Sequence, residues 1–160
     1  MSPVSVNMSQ SCLFIARSLK KPLLCAILPF LVLATFNGIA ADFVEISIDT
    51  DSYRIELART PAQRRQGLMH RQHLDRYAGM MLLYPQPGDH RIWMKNMSIA
   101  LRVYWIDGDF TVIDSQRLEP CRQDPCPVYS AARFSKYVLE LSDHDHRLQT
   151  GDRINGLTDL

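Results

Sequence analysis

The chain of 160 residues lacks every short motif that would reveal a familiar reaction. It contains no G-x-S-x-G nucleophile elbow, no H-E-x-x-H helix and no phosphate-binding loop. Ser130 and Ser135 have no histidine or acid that the sequence supports as a partner for a nucleophile. These absences favour a protein that is not an enzyme, without deciding the matter, and no cofactor is predicted.

Cysteine is scarce, with four in the chain, and two of these lie in the first forty residues. The remaining pair is Cys121 and Cys126, which should form a disulfide in an oxidising compartment. A redox dithiol or a metal site is the alternative. The spacing is C-x4-C rather than C-x-x-C, and no second Cys/His pair stands at zinc-ligand spacing, so we predict a disulfide and no metal.

Charge of one sign is not in excess. Residues 41–160 contain fifteen basic and seventeen acidic residues, a formal charge of −2. This balance argues against a nucleic-acid or anionic-membrane surface, so no nucleic-acid partner is predicted. These 120 residues contain no repeat and no low-complexity linker, which predicts one domain.

Residues 1–40 have the pattern of an export leader. Basic residues precede an apolar run from Pro22 to Phe36, and Gly38-Ile39-Ala40 fits the small-x-small pattern that signal peptidase reads. An uncleaved anchor is the alternative, but the run of 15 residues is shorter than the ~20 needed to span a bilayer. We expect cleavage before Ala41 and a periplasmic or otherwise exported domain, which contacts the membrane only if the leader is retained.

Apolar and polar residues alternate in several short segments after the leader, as in half-buried strands. The run from Gly79 to Tyr84 is apolar and is followed by Pro85 and Pro87, which is typical of a buried strand that ends there. The other predicted strands are Phe43 to Ile48, Tyr53 to Leu57, Arg91 to Met97, Leu101 to Ile106, Phe110 to Ile113, Tyr137 to Leu141 and Arg153–Ile154.

One helix start is well marked. Thr60-Pro61-Ala62-Gln63 combines an N-cap, a proline at the first helical position and a glutamine that completes a capping box, and Gly67 should end the helix. Leu141 to Gln149 could form a second helical turn. The pattern predicts a mainly β, compact single domain, a sandwich or a barrel-like fold with one or two short helices.

Seven short motifs occur in one order along the chain. They are G-L-M-x-R (67–71), G-M (79–80), W-M-K-N (93–96), W-I-D (105–107), C-P-x-Y (126–129), Y-V-L-E (137–140) and G-D (151–152). In this order they resemble the DUF-192 family over nearly the whole of residues 44–154. The resemblance implies a compact, mostly β domain, often found in exported or envelope-associated bacterial proteins.

The chain departs from that family at one place. The family usually has P-L-D after W-M-K-N-T, whereas this chain has Met97 and then Ile99-Ala100-Leu101-Arg102. An acidic position is therefore Arg102 here, so no metal or acid/base role of that acid can be transferred to this protein.

Five residues form the predicted ligand site. If residues 91–97 are a strand, Trp93 and Lys95 share one face. Beside Arg71 they would offer an aromatic plate and two cations to a small anionic or sugar-like ligand. Asn96 would complete this concavity, with Tyr129 at its rim.

Each of these residues has a structural alternative. Trp93 could lie in the core while Lys95 extends along it to solvent. Arg71 could satisfy carbonyls at the end of the helix. The ring of Tyr129 could cover the disulfide loop. His144 and His146 have metal-like spacing, but they lack a spaced third ligand.

Three functions agree with these observations. The first is a small-ligand-binding or accessory module of the cell envelope. The second is an envelope hydrolase for a cell-wall or sugar-like substrate, with Asp107, Lys95 or Glu140 in its cleft. The third is a structural envelope protein that docks to partners. Two carboxylates across a cleft would favour the hydrolase, a walled cleft without such a pair would favour the binding module, and a large exposed apolar patch would favour the docking protein.

Overall fold

The structure is a computed structural model that describes residues 41–145, 147–157 and 160. The predicted leader and His146 lie outside these residues. The elements are β1 (Asp42–Ile48), β2 (Asp51–Ala58), α1 (Pro61–Gln66), β3 (Ala78–Gly88), β4 (Ile92–Trp93), β5 (Leu101–Ile106), β6 (Val112–Leu118), β7 (Val128–Tyr129) and β8 (Ser135–Ser142). Within the described residues, no helix is long and apolar enough to cross a membrane.

Six of the strands form one sheet, in the order β1-β2-β3-β8-β5-β6. All neighbours are antiparallel except β2 and β3, which are parallel and are connected through α1. The sheet is open in the described part of the chain, because β1 and β6 each pair with one neighbour only. The strands β4 and β7 form a separate ribbon. The predicted mainly β, sandwich-like fold is confirmed, and the barrel alternative is not realised.

The six-stranded sheet buries apolar side chains on both faces, because successive residues of a strand point to opposite sides. The first face carries a cluster that includes Tyr53, Tyr104 and Leu139. The second face carries a cluster that includes Leu68, Trp105 and Val138. The ribbon residue Ile92 packs into the second cluster, so the ribbon and the chain after α1 cover that face.

The predicted helix start is confirmed. Thr60 has extended backbone angles, and its side chain accepts a hydrogen bond from the Gln63 amide at 3.2 Å. In the reciprocal hydrogen bond, the Gln63 Oε1 accepts from the Thr60 amide at 2.9 Å. This reciprocal capping box satisfies two amides that a helix leaves unpaired, and Gly67 follows the last helical residue.

Two strand predictions require correction. The prolines Pro85 and Pro87 do not end β3, which continues to Gly88. The pairing with β8 is irregular between Leu83 and Gly88, and such a bulge tolerates residues that donate no hydrogen bond. The predicted strand at 91–97 contains only Ile92–Trp93, because the chain then turns and Asn96 has a left-handed φ of 59°.

The C-terminal predictions were also partly wrong. Residues 141–145 and 147–149 contain no helix, because Leu141 and Ser142 complete β8 and a turn follows. Arg153 makes an isolated bridge to Thr111 rather than a strand. The strand predicted at Phe110 to Ile113 begins at Val112 and runs to Leu118. The short strand β7 was not predicted from the sequence.

Candidate functional site

A cleft of about 260 Å³ opens on the second face of the sheet, between the end of α1 and the ribbon strand β4. We call it the α1 cleft. Apolar and polar side chains contribute nearly equally to its walls. The apolar side chains include Leu68, Met69, Leu82, Ile92, Trp93, Met94 and Leu101, and the polar ones are Glu140, Tyr84, Arg64, Arg65, Gln66 and Arg91. A concave site that combines apolar walls with convergent polar groups is a candidate ligand site.

Glu140 is the buried acid of this cleft. It follows Leu139 on β8, so its side chain points to the second face while that of Leu139 points to the first. Only 5% of its surface is exposed, and its Oε2 atom has no hydrogen-bond partner among the described residues. Burial raises the pKa of Glu140 to about 7, and the nearby positive charge of Arg71 opposes the rise.

Gly67 brings the backbone close to this carboxyl group. Its φ of 49° with ψ of −137° is a conformation that favours glycine. A Cβ atom at this position would lie 3.7 Å from Glu140 Oε2. The glycine after α1 therefore ends the helix and lets the chain turn beside the acid.

Basic residues line the cleft on the side of α1 and β4. The Nη1 of Arg64 donates to the Leu83 carbonyl at 2.8 Å, and its guanidinium carbon lies 4.9 Å from the Tyr84 ring centroid. Arg91 pairs with Asp89 at 2.7 Å. Arg65 is exposed. The lining thus combines one buried acid with three cationic side chains.

Tyr84 and His90 form a stacked pair next to the cleft, with their ring centroids 3.4 Å apart. Burial raises the pKa of the Tyr84 hydroxyl, and the positive charge of Arg64 opposes this rise. Burial lowers the pKa of His90. Both rings are therefore uncharged at neutral pH, and the charges at this cleft are those of Glu140 and the arginines.

Among the five residues of the predicted site, Trp93 lines the α1 cleft. Its side chain is 45% exposed, so it is not the core residue of the structural alternative. Lys95 lies close by, with its Nζ 5.9 Å from the Trp93 ring and 3.3 Å from a carboxylate oxygen of Asp124. Trp93 and Lys95 are thus neighbours, as the sequence predicted, although the strand that should have aligned them is only two residues long.

The other three predicted residues lie elsewhere around this face. Arg71 pairs with Glu56 at 2.5 Å and lines a different depression rather than binding helix carbonyls. The carbonyl of Asn96 accepts the His70 amide at 3.0 Å, which stabilises the turn after β4. Tyr129 pairs with Ile92 across the ribbon, and its ring packs against the second cluster.

The cysteine pair and Asp107 have structural roles outside the α1 cleft. The Sγ atoms of Cys121 and Cys126 lie 2.14 Å apart, at disulfide distance, with 5.6 Å between their Cα atoms. Asp107 Oδ1 accepts from the amides of Asp109 and Thr111, both at 2.9 Å, and so closes the turn before β6.

Sequence reasoning named Glu140 only as one candidate acid of a hydrolase and did not place it with Trp93. A signal was present, because an acid between Leu139 and Leu141 in a buried strand must point to the face opposite its apolar neighbours. The sequence could not assign Arg64, Tyr84 and Gly67 to one cleft. The helix α1 lies beside β3 only because β2 and β3 pair in parallel, and that pairing is not visible in the local sequence.

Comparison with known structures gives two similar proteins. The first is described as a proposed transcription regulator from Sinorhizobium meliloti 1021, with 27% identity and a TM-score of 0.63, covering 73% of this chain and 94% of that one. The second is a protein of unknown function from Novosphingobium aromaticivorans, with 25% identity and a TM-score of 0.63, covering 76% and 89%. A comparison with curated proteins finds no match.

The family comparison agrees with the motif order. The DUF192 family, described as "Uncharacterized ACR", matches residues 44–156. That segment includes every strand after the start of β1, together with α1 and all the residues that line the α1 cleft. The chain belongs to the DUF192 family.

Proposed function

We propose that this protein is a small-ligand-binding or accessory module of the cell envelope, and that the ligand binds in the α1 cleft. The observation that carries the proposal is the buried side chain of Glu140, whose Oε2 lacks a hydrogen-bond partner in the described structure. A buried polar atom of this kind costs free energy of roughly 1–3 kcal/mol. A ligand that donates a hydrogen bond to the Glu140 carboxyl group offsets that cost.

The cleft supports a binding module better than a hydrolase. A glycoside hydrolase needs two carboxyl groups that flank the bond to be cleaved. Among the described residues that line the α1 cleft, Glu140 is the only acid. The other two hydrolase candidates have different partners, since Asp107 closes a turn and Lys95 pairs with Asp124.

Export is part of the proposal, and it is supported by the leader pattern of residues 1–40 and by the cysteine pair. Mass spectrometry of the periplasmic fraction should find a new N-terminus at Ala41 or Asp42. In protein taken from that fraction, Cys121 and Cys126 should resist alkylation until they are reduced. An intact leader in the membrane fraction would instead support an anchored protein, and free labelling of both thiols would contradict the disulfide.

Thermal-shift screening tests the binding role, because a ligand that binds only the folded state raises the melting temperature. The purified protein would be screened against amino acids, sugars, sugar acids, nucleotides and divalent metals. A hit should lose its shift in Glu140→Gln and in Trp93→Ala.

Phe134→Ala is the matched control. Phe134 is 69% exposed and does not line the cleft, so this variant should keep the shift. If Phe134→Ala loses the shift while Trp93→Ala keeps it, the ligand binds outside the α1 cleft. If no compound produces a shift, the docking role among the three predicted functions becomes the better explanation.

A further inference from the structure

The α1 cleft has opposite charges on different parts of its lining. The acid Glu140 is buried, whereas Arg65 is exposed and Arg64 and Arg91 lie with it in the same lining. We infer that the cleft binds a small amphoteric molecule, with a protonated amine against Glu140 and a carboxylate or phosphate group against the arginines. This inference rests on the proposed binding function and specifies its ligand.

The charge of Glu140 indicates an amine on the ligand. Within the described residues, no lysine, arginine or histidine nitrogen lies within 4.0 Å of its carboxylate oxygens. A buried carboxylate without a counter-ion is costly. A ligand ammonium group supplies both a hydrogen-bond donor and the missing positive charge, whereas a hydroxyl group supplies only the donor.

The arginines indicate an anionic group on the ligand. A simple amine would meet the repulsion of Arg64, Arg65 and Arg91, and a simple anion would meet that of Glu140. A molecule with both charges satisfies both ends. Arg65 is the most available contact, because Arg64 is held by backbone carbonyls and Arg91 by Asp89.

The size and the walls of the cleft restrict the part of the ligand between its charges. A volume of about 260 Å³ is slightly below that of usual drug-sized pockets, so the ligand is small. Leu68, Ile92 and Met94 also line the cleft and favour a short apolar spacer in the ligand. An ω-amino acid has this arrangement of charges and spacer.

Four five-carbon probes that differ in their end groups test the inference by isothermal titration with the purified protein. They are 5-aminopentanoate, 5-hydroxypentanoate, pentanoate and pentylamine. We expect 5-aminopentanoate to bind at least about tenfold more tightly than each of the others, which corresponds to ~1.4 kcal/mol. Equal binding of the hydroxyl compound or of pentanoate would overturn the amine while leaving a ligand-binding cleft. Binding by none of the four would overturn the inference, and the broad thermal-shift screen then decides the proposed function separately.

The pH dependence gives a second readout. Because the amine requires the ionised carboxylate, its affinity should rise by up to about tenfold between roughly pH 6 and pH 8, as Glu140 loses its proton. The other charged or titratable groups near Glu140 are Arg71, with its partner Glu56, the three cleft arginines, Tyr84 and His90. His90→Asn should keep the rise and Glu140→Gln should abolish it. A rise that survives in Glu140→Gln, or an affinity that falls with pH, would overturn the inference.

The anionic contact has its own matched pair of variants. Arg65→Gln should weaken the binding of 5-aminopentanoate by at least about fivefold, roughly 1 kcal/mol. The binding of pentylamine should be unchanged or tighter. Arg133→Gln removes an exposed arginine that does not line the cleft and should have no effect on either probe. If the two variants weaken the amino acid equally, the effect comes from the net charge of the protein and the arginine contact is excluded.

Discussion

The two faces of the six-stranded sheet differ in the partners of their buried acidic side chains, Asp145 on the first face and Glu140 on the second. On the first face, the hydroxyl groups of Tyr53 and Tyr104 both donate to Asp145, one to its carboxylate and the other to its carbonyl oxygen at 3.1 Å. On the second face, the carboxyl group of Glu140 is equally buried and its Oε2 has no partner in the described residues. A satisfied polar group stabilises a core, whereas an unsatisfied one marks a place where a ligand or a proton can act.

The pKa values follow the same division. Burial and the neighbouring Asp145 raise the pKa of the Tyr104 hydroxyl, which therefore stays protonated and keeps its hydrogen bond at any physiological pH. Burial raises the pKa of Glu140 to about 7, so this group changes its charge within the physiological range. The Tyr104 hydroxyl is thus insensitive to pH in this range, and the Glu140 carboxyl group is not.

Adjacent residues of β8 provide the sharpest test of the difference, and the largest expected effect is on the first face. Leu139 is fully buried in the first cluster, so Leu139→Ala should lower the free energy of unfolding by about 3 kcal/mol, within a usual range of 2–5 kcal/mol. Urea denaturation measures the loss. A loss below about 1 kcal/mol would show that this face is not a tightly packed core.

Glu140→Gln should raise the free energy of unfolding at pH 8, whereas Leu139→Ala lowers it. A folded-state pKa of about 7, against 4.5 in the unfolded chain, means that the folded protein binds more protons between these values, so its stability falls as pH rises through that window. The wild type therefore loses up to about 3 kcal/mol by pH 8. The glutamine variant avoids this loss but buries an amide, so we expect it to be about 1–3 kcal/mol more stable at pH 8.

The stability difference should change with pH in one direction. Below about pH 4.5 both states of the wild type hold the proton, and the advantage of Glu140→Gln should disappear. Urea denaturation between pH 4.5 and pH 8 measures the curve. A stability difference that stays constant across this range would contradict the conclusion that Glu140 is an unpaired acid in the folded protein. It would also remove the contrast between the two faces.

Thr60→Ala, at the start of the helix on the second face, should have a smaller effect. The variant removes the side-chain acceptor of the capping box and should cost about 1 kcal/mol, which lowers the melting temperature by roughly 3–6 °C. Thermal denaturation measures the loss, and an unchanged melting temperature would show that the capping box does not stabilise the domain.

Lys95→Ala should have the smallest effect. The pair with Asp124 is exposed on both sides, with 40% and 69% of the side chains accessible. Such pairs contribute between 0 and about 1 kcal/mol, and at about 0.5 kcal/mol, the middle of that range, the melting temperature should fall by roughly 2 °C. A larger loss would show that this pair, rather than the disulfide alone, holds the loop beside β4.

The parts of the fold that were predictable depend on local chemistry. Thr60 and Gln63 lie three residues apart and form the capping box with no help from the rest of the chain. The strand β5 was predicted with its observed ends, Leu101 and Ile106, because a turn residue and an apolar run mark it. The errors at Pro85 and at residues 94–97 arose where a bulge or a turn, set by neighbouring segments, replaced a regular strand.

The candidate site was less predictable than the fold. Trp93 and Lys95 are neighbours, because two residues of separation in one segment keeps them close, but Lys95 does not line the α1 cleft. Arg71 was expected beside them, but Glu56 on β2 binds it at 2.5 Å, and nothing local to Arg71 indicates that partner. The charge of a surface residue is thus visible in the sequence, whereas its counter-ion depends on which strands become neighbours.

By itself, the sequence determined the motif order of the family, the mainly β character, the helix start and the cysteine pair, because each depends on residue types at short separations. Only the tertiary structure decided which polar groups find partners. The parallel pairing of β2 with β3 places α1 and Gly67 over β8, so that Glu140 is buried without a hydrogen-bond partner for Oε2, while the tyrosines of the opposite face reach Asp145. Desolvation depends on everything that surrounds a group, and for that reason the α1 cleft could be recognised only in three dimensions.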